Sequence, residues 1–137
     1  NTVSVHFRGG DFHTHKIDIF TKSVSLNLDY YKKSLEIIKK DIVNPEFHIF
    51  SDELDTILPI FKNEKIVIHK DDAFIDWVSL YLSKNIIQSN SSFCWTASLF
   101  NKIVSIQPNN GYGYNNNVAS VPYGFLHKNA KVITNEK

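Results

Sequence analysis

The chain has 137 residues, 42% of them hydrophobic and 13% aromatic, so it can bury one core but is too short for two full domains. Its formal charge is +1, which gives no electrostatic reason to expect binding to duplex nucleic acid or to an anionic membrane surface. No run approaches the roughly 20 apolar residues of a transmembrane helix. The single cysteine, Cys94, excludes an internal disulfide and a cysteine-based zinc site, and we expect a cytoplasmic protein.

Strand and helix patterns alternate along the first 108 residues. Short runs rich in β-branched and aromatic residues predict strands, and apolar residues at three- and four-residue spacing predict an amphipathic helix over 28–42. In chain order we predict strands at 2–7, 47–50, 65–68, 86–87 and 102–106, and helices at 28–42, 51–61, 72–83 and 91–100. Continuous apolar strands that alternate with helices indicate an α/β fold, with a Rossmann-like parallel sheet covered by helices.

The residues after 108 have a different composition. Segment 108–137 begins with PNNGYGYNNN, which has no periodicity and predicts a loop-rich C-terminal segment. Tyr112 and Tyr114 are candidates for a substrate lid, although such asparagine-rich segments are more often plain surface loops. The chain has no methionine and starts on a strand-like run, so we expect it to be a fragment of a longer protein, with 1–137 forming one domain.

Two strand ends carry side chains suited to a ligand, because ligands of parallel α/β sheets bind beyond the carboxyl ends of the strands. His6 and Arg8 project to the same side where strand one ends, and the Arg8 guanidinium suits a phosphate. The adjacent Gly9 and Gly10 let the backbone approach a ligand. The plain alternative is a surface arginine before an ordinary Gly-Gly turn.

The second strand end is the hydroxyl-rich turn that follows strand four. There Asn90, Ser91 and Ser92 precede a predicted helix, whose unpaired amides favour an anion. The plain alternative is helix capping by one serine. Asp76 lies in the helix before this strand, and taken alone it is a solvated acidic residue on a helix flank.

Together these segments resemble the GDP-fucose-dependent fucosyltransferases, and most closely the α-1,2-fucosyltransferase family. The family's donor domain opens with VSVHxRRGD and an aromatic residue, and residues 3–12 here are VSVHFRGGDF. The family continues with a tyrosine-rich helix, a strand ending in FSDD, and a segment like NIIANSSFSWWGAWLN. The corresponding runs here are YYKK at 30–33, IFSDE at 49–53 and NIIQSNSSFCW at 85–95, so the resemblance covers about residues 3–108.

The resemblance implies the GDP-fucose-binding half of a two-domain GT-B glycosyltransferase, which transfers fucose to a galactoside or glycan with inversion and without a metal or other cofactor. Arg8 would stabilise the leaving phosphate and is the expected catalytic residue. The acceptor would bind a second domain that this chain lacks, so we expect the isolated chain to be inactive. The implied donor-binding residues are His6 and Asp76 at the guanine and Arg8, Ser91 and Ser92 at the β-phosphate, supported by Gly10, Asp11, which orients the arginine loop, and Asn90. The resemblance also suggests a bacterial protein that is peripheral at membranes where glycans are assembled.

The chain departs from the family pattern at several positions. Gly9 replaces the second motif arginine, Cys94 replaces a serine, and Thr96, Ala97 and Ser98 replace tryptophan, glycine and alanine. These changes leave open a second interpretation, a catalytically degenerate nucleotide-binding or interaction module. Loss of Arg8 or Asp76 would be its mark in the sequence, and both are present.

A metal site is a third interpretation. Asp11, His13 and His15 alternate with a period of two, and His6 is near in sequence, so an extended loop could turn these side chains toward one metal ion. The spacing is common by chance, and no second acid-rich cluster supports a hydrolytic metal site.

Overall fold

The computed structural model describes residues 1–14, 25–100, 102–109 and 129–133, with side chains of the first segment as far as Phe12. The strands are β1 Thr2–Phe7, β2 Glu46–Ser51, β3 Lys65–His69, β4 Asn85–Ile87, β5 Val104–Pro108 and β6 Lys131–Ile133. The helices are α1 Asp11–Thr14, α2 Leu28–Asp41, α3 Leu54–Ile57 with a following 3₁₀ turn Leu58–Phe61, α4 Ala73–Leu82 and α5 Ser92–Ala97.

The six strands form one sheet in the order β3-β2-β1-β4-β5-β6, and every pair of neighbours is parallel. The predicted α/β class with a Rossmann-like parallel sheet is confirmed. The chain builds outward from β1 through β2 to β3, then returns to pair β4 with the other side of β1, where Val5 lies opposite Ile87. Sheets of this type bind ligands in a crevice at the carboxyl ends of the strands where the strand order reverses, which here are β1 and β4.

The central strands β1 and β4 are buried on both faces, as is usual in a parallel sheet, whereas the edge strands β3 and β6 are largely exposed. On one face, the apolar side chains of β1 pack with Tyr30, Tyr31 and Ile38 of α2, all 0 to 1% exposed. On the other face, a second cluster joins Phe50, Leu80, Ile86, Cys94 and Ala97 from β2, β4, α4 and α5. Burial raises the pKa of the Cys94 thiol to about 12, so this cysteine packs as a small apolar side chain.

Several element boundaries differ from those predicted. The helix predicted over 51–61 is the short α3 and a 3₁₀ turn, because Pro59 has no N–H to continue the helical hydrogen bonds. The helix after β4 ends at Ala97, and the fifth strand begins at Val104. Neither α1 nor β6 is predicted from the sequence, and β6 lies within the segment interpreted as loop-rich.

Among the residues that the structure describes, no helix has the length and apolar character needed to cross a membrane.

Candidate functional site

His6 ties the end of β1 to the loop that follows β4. Its Nδ1 lies 2.7 Å from the Ser89 hydroxyl oxygen, and its ring centroid lies 5.6 Å from that of Phe93 on α5. The residue is 7% exposed. Burial, and secondarily the nearby Arg8 charge, lowers the pKa of His6 to about 3. The imidazole is therefore neutral at ordinary pH and joins the two strands that flank the crevice.

Arg8 lies just beyond β1 and is oriented by two carboxylates. Its guanidinium nitrogens are 2.9 Å from an Asp11 oxygen and 3.1 Å from an Asp52 oxygen, and its Cζ lies 5.6 Å from the Phe12 ring centroid. The side chain is 38% exposed. A guanidinium carries five N–H groups, so an arginine held in this way and partly exposed can keep donors for an anion.

The loop after Arg8 is held by the two acidic residues that follow β2. Asp52 accepts the Gly9 N–H at 2.9 Å, and Glu53 accepts the Gly10 N–H at 2.9 Å. Gly10 has a φ of +38°, in the left-handed region that glycine adopts most easily. Because Asp52 also pairs with Arg8, the acidic end of β2 fixes both the backbone and the side chain of the arginine loop.

The hydroxyl-rich turn lies on the other side of the crevice. Asn90 and Ser91 are 1% and 8% exposed, whereas Ser92 is exposed as the first residue of α5. Ser91 occupies the N-cap position, yet its side chain makes no capping hydrogen bond. The plain alternative, capping of the helix by the Ser91 side chain, is therefore not observed. The Ser91 N–H instead donates to the Ser89 hydroxyl at 3.2 Å, which links the turn to His6.

Asp76 faces a cleft at the carboxyl ends of β2 and β3. The cleft has a volume of about 440 Å³ and is lined by Ser51, Asp52, Glu53, Leu54, Asp55, His69, Lys70, Asp71 and Asp76. The Asp76 Oδ1 atom is buried and has no hydrogen-bond partner among the described residues. Burial first, and then the Asp71 charge, raises the pKa of Asp76. This carboxylate oxygen needs a donor that a ligand could supply.

His69 and Asp71 complete an acceptor group around Asp76. One ligand atom from each of the three residues lies within 4.8 Å of the others, so the group could bind a cation or accept hydrogen bonds from the N–H groups of a ligand. The His69 Nε2 is 2.8 Å from His48 Nδ1, and burial lowers the pKa of His69. This is not the predicted metal set of Asp11, His13 and His15. The His13 side chain and all of His15 lie outside the described residues, as do Tyr112 and Tyr114, and the Asp11 carboxylate is paired with Arg8.

Two tyrosines of α2 support the crevice from the opposite face of the sheet. The Tyr31 hydroxyl donates to the His6 carbonyl at 3.1 Å, and the Tyr30 hydroxyl donates to the Gln88 carbonyl at 2.7 Å. The sequence patterns do not identify these two tyrosines as functional residues, nor Asp52 and Glu53. Buried phenols need hydrogen-bond partners, so the pair of adjacent tyrosines at the start of this amphipathic helix is the signal that the sequence offers.

The departures around α5 belong to helix packing. Thr96 accepts the indole N–H of Trp77 at 3.1 Å, which joins α5 to α4. The Ser98 hydroxyl donates to the Cys94 carbonyl at 2.7 Å, and Ala97 is fully buried. Thr96 thus contributes to a contact between two helices, and Ser98 contributes a hydrogen bond within α5 and its C-terminal end.

The comparison with protein families decides the assignment. The model of glycosyl transferase family 11 matches residues 1–118 of the chain. The chain belongs to this family. The family 11 match covers the arginine loop, the Asp76 cleft and the hydroxyl-rich turn, and it confirms the predicted resemblance to α-1,2-fucosyltransferases. Searches of curated proteins and of solved structures give no match to the chain.

Proposed function

We propose that this family 11 chain binds the GDP-fucose donor of an inverting, metal-independent α-1,2-fucosyltransferase, which transfers fucose to a galactoside or another glycan. The observation that carries the proposal is the shared position of Asp52, which pairs with Arg8 and also lines the cleft that contains Asp76. The guanidinium of Arg8, which suits the phosphates, and the carboxylate of Asp76, which needs a hydrogen-bond donor, are therefore both linked to Asp52 at one edge of the sheet.

The distribution of charge supports a divided site. Five carboxylates and one lysine line the cleft of Asp76, so it suits a neutral group rich in N–H and O–H donors and disfavours a diphosphate. The guanine and ribose of the donor have this character. The diphosphate belongs beside Arg8 and the hydroxyls of Ser91 and Ser92, where a cation and hydrogen-bond donors are available.

Asp76 is the proposed reader of the base. A carboxylate can accept both the N1 and the N2 protons of guanine, and adenine offers no such pair. The buried Oδ1 of Asp76 would gain the hydrogen bond that it lacks among the described residues. We place His6 beside this part of the donor, where it also holds the Ser89 loop.

The proposed reaction is a single displacement. The acceptor oxygen forms a bond to the anomeric carbon of fucose as the bond from that carbon to the β-phosphate oxygen breaks on the opposite face. The bonding electrons leave with GDP, so negative charge builds on the β-phosphate. Arg8, oriented by Asp11 and Asp52, stabilises this charge, and loss of one such donor costs about 2.7 to 4 kcal/mol in comparable sites. The acceptor proton passes to a general base, which we place with the acceptor in a second domain.

Calorimetric titration with GDP, UDP and ADP tests the donor site. Arg8→Ala should weaken GDP binding by about 1.5 to 3 kcal/mol, the range for a hydrogen bond to a charged group. Lys70→Ala is the matched control, because it removes an exposed positive charge from the neighbouring cleft of Asp76, away from the proposed phosphate position, and should cost less. Unchanged GDP affinity in a folded Arg8→Ala protein would refute the assignment of Arg8.

The alternative function is a nucleotide-binding or interaction module without transferase activity, and Gly9 in place of the second motif arginine favours it. Binding and turnover are measured separately by incubating the chain with GDP-fucose and a β-galactoside, and following GDP release and glycan product. We expect this chain to bind the nucleotide without transferring fucose. We also propose that the protein acts in the cytoplasm, at membranes where glycans are assembled. Fucosylated product at about 1 per second would contradict that expectation and exclude the non-catalytic module.

A further inference from the structure

The space beside Gly9 is occupied by Glu53. The φ of Gly9 lies outside the left-handed region, so its backbone does not require glycine. A Cβ atom at this position would lie 2.2 Å from Glu53 Oε2 and 2.9 Å from both the Cβ and Cδ of Glu53, closer than real Cβ contacts. Glycine is required at position 9 because a side chain would collide with Glu53.

Glu53 is itself held in place on both carboxylate oxygens. Its Oε2 accepts the Gly10 N–H at 2.9 Å, and its Oε1 accepts the hydroxyl of Thr56. The Glu53 N–H donates to the Ser51 hydroxyl at 2.9 Å, which fixes the backbone from which the side chain extends. Moving the carboxylate away from Gly9 would therefore break two hydrogen bonds.

We propose that Glu53 is a positioning residue for Arg8, and that Gly9 and Glu53 form a matched pair in which each residue requires the other. Asp52 holds the Gly9 N–H and the guanidinium, and Glu53 completes the arrangement by holding the Gly10 N–H. The Glu53 carboxylate occupies the space into which a side chain at position 9, the second motif arginine of the family, would extend. This inference rests on the proposed function, since the consequence of correct positioning is nucleotide binding by Arg8.

Four variants separate positioning from charge. Glu53→Ala and Glu53→Gln both remove a negative charge beside the loop that follows Arg8, but only the alanine variant removes the acceptor for the Gly10 N–H. We expect Glu53→Ala to weaken GDP binding by about tenfold, near the lower end for a hydrogen bond to a charged group. Glu53→Gln should stay within about twofold of the original affinity, because its amide oxygen still accepts a hydrogen bond.

The coupling of the pair is tested with Gly9→Ala and with the double variant Gly9→Ala/Glu53→Ala. Gly9→Ala alone should weaken GDP binding by at least about tenfold, since an ångström of misplacement is costly in such sites. The double variant should lose less affinity than the two single losses combined, because removing the Glu53 side chain beyond Cβ relieves the closest collision and leaves only the contact with the Glu53 Cβ at 2.9 Å. Glu36→Ala is the control, as it removes an exposed acid on α2, outside the cleft, and should leave GDP affinity within about twofold.

Amide hydrogen exchange at Gly10, measured without nucleotide, gives a second readout. Exchange should accelerate in Glu53→Ala and stay slow in Glu53→Gln. Unchanged affinity and unchanged Gly10 exchange in Glu53→Ala, or additive losses in the double variant, would overturn the positioning role while leaving GDP binding by the original chain intact. A chain that binds no GDP at all would instead overturn the proposed function, and the positioning role with it.

Discussion

His6 should make the stability of the fold depend on pH. Burial lowers its pKa from the ordinary 6.5 to about 3, so the folded chain keeps it neutral while the unfolded chain binds a proton below pH 6.5. The stabilisation is fully present above pH 6.5 and is lost as the pH falls toward 3. At 1.36 kcal/mol per pKa unit, the free energy of unfolding falls by about 2 kcal/mol from pH 8 to pH 5, and by roughly 4 to 5 kcal/mol at pH 3.

Urea unfolding at pH 8, 6.5 and 5, followed by tryptophan fluorescence, measures this loss. His6→Asn is the reference protein, because the asparagine amide approximates Nδ1 and can still contact the Ser89 hydroxyl, yet it does not titrate. The variant loses packing against Phe93, but that loss is the same at every pH. Carboxylates titrate in both proteins and cancel in the difference.

The decisive quantity is the stability of the original chain minus that of His6→Asn, followed against pH. It should shrink by about 2 kcal/mol between pH 8 and pH 5. A constant difference over this range would show that the buried imidazole is not held neutral, and would refute the link between the burial of His6 and the stability of the crevice.

Three further changes test other parts of the site. Asp76→Asn should lower the ratio of GDP affinity to ADP affinity without changing ADP binding. It should also remove the extra acid sensitivity of GDP binding that the raised pKa of Asp76 produces. An unchanged affinity ratio would show that Asp76 is only a solvated helix residue. Lys102→Met should lower the free energy of unfolding by about 1.5 to 3 kcal/mol, because Lys102 donates to the carbonyls of Leu80, Tyr81 and Ser83 at the end of α4. The control Lys84→Met replaces an exposed lysine and should change the free energy of unfolding by less than about 0.5 kcal/mol. Tyr31→Phe should cost about 1 kcal/mol in urea unfolding through loss of its hydrogen bond to the His6 carbonyl, and an unchanged midpoint would contradict that support role.

The sequence by itself determined the α/β class, the parallel sheet and the two strand ends that face the crevice. These features depend on local signals: runs of apolar residues, helical spacing, and turn residues directly after strands. The same local signals located Arg8 and the turn at Ser91, since each follows its strand in the chain. Even the family could be recognised this way, because its motifs are continuous stretches of sequence.

Only the tertiary structure decided which of these residues touch. His6 meets Ser89 across 83 positions, and the acidic pair Asp52 and Glu53 holds a loop 43 positions away. No local pattern encodes such contacts, because they arise when strands that are distant in sequence become neighbours in the sheet. The same holds for β6, whose three residues form a strand by pairing with β5, and for Asp76, whose surroundings exist only once β2, β3 and α4 have come together.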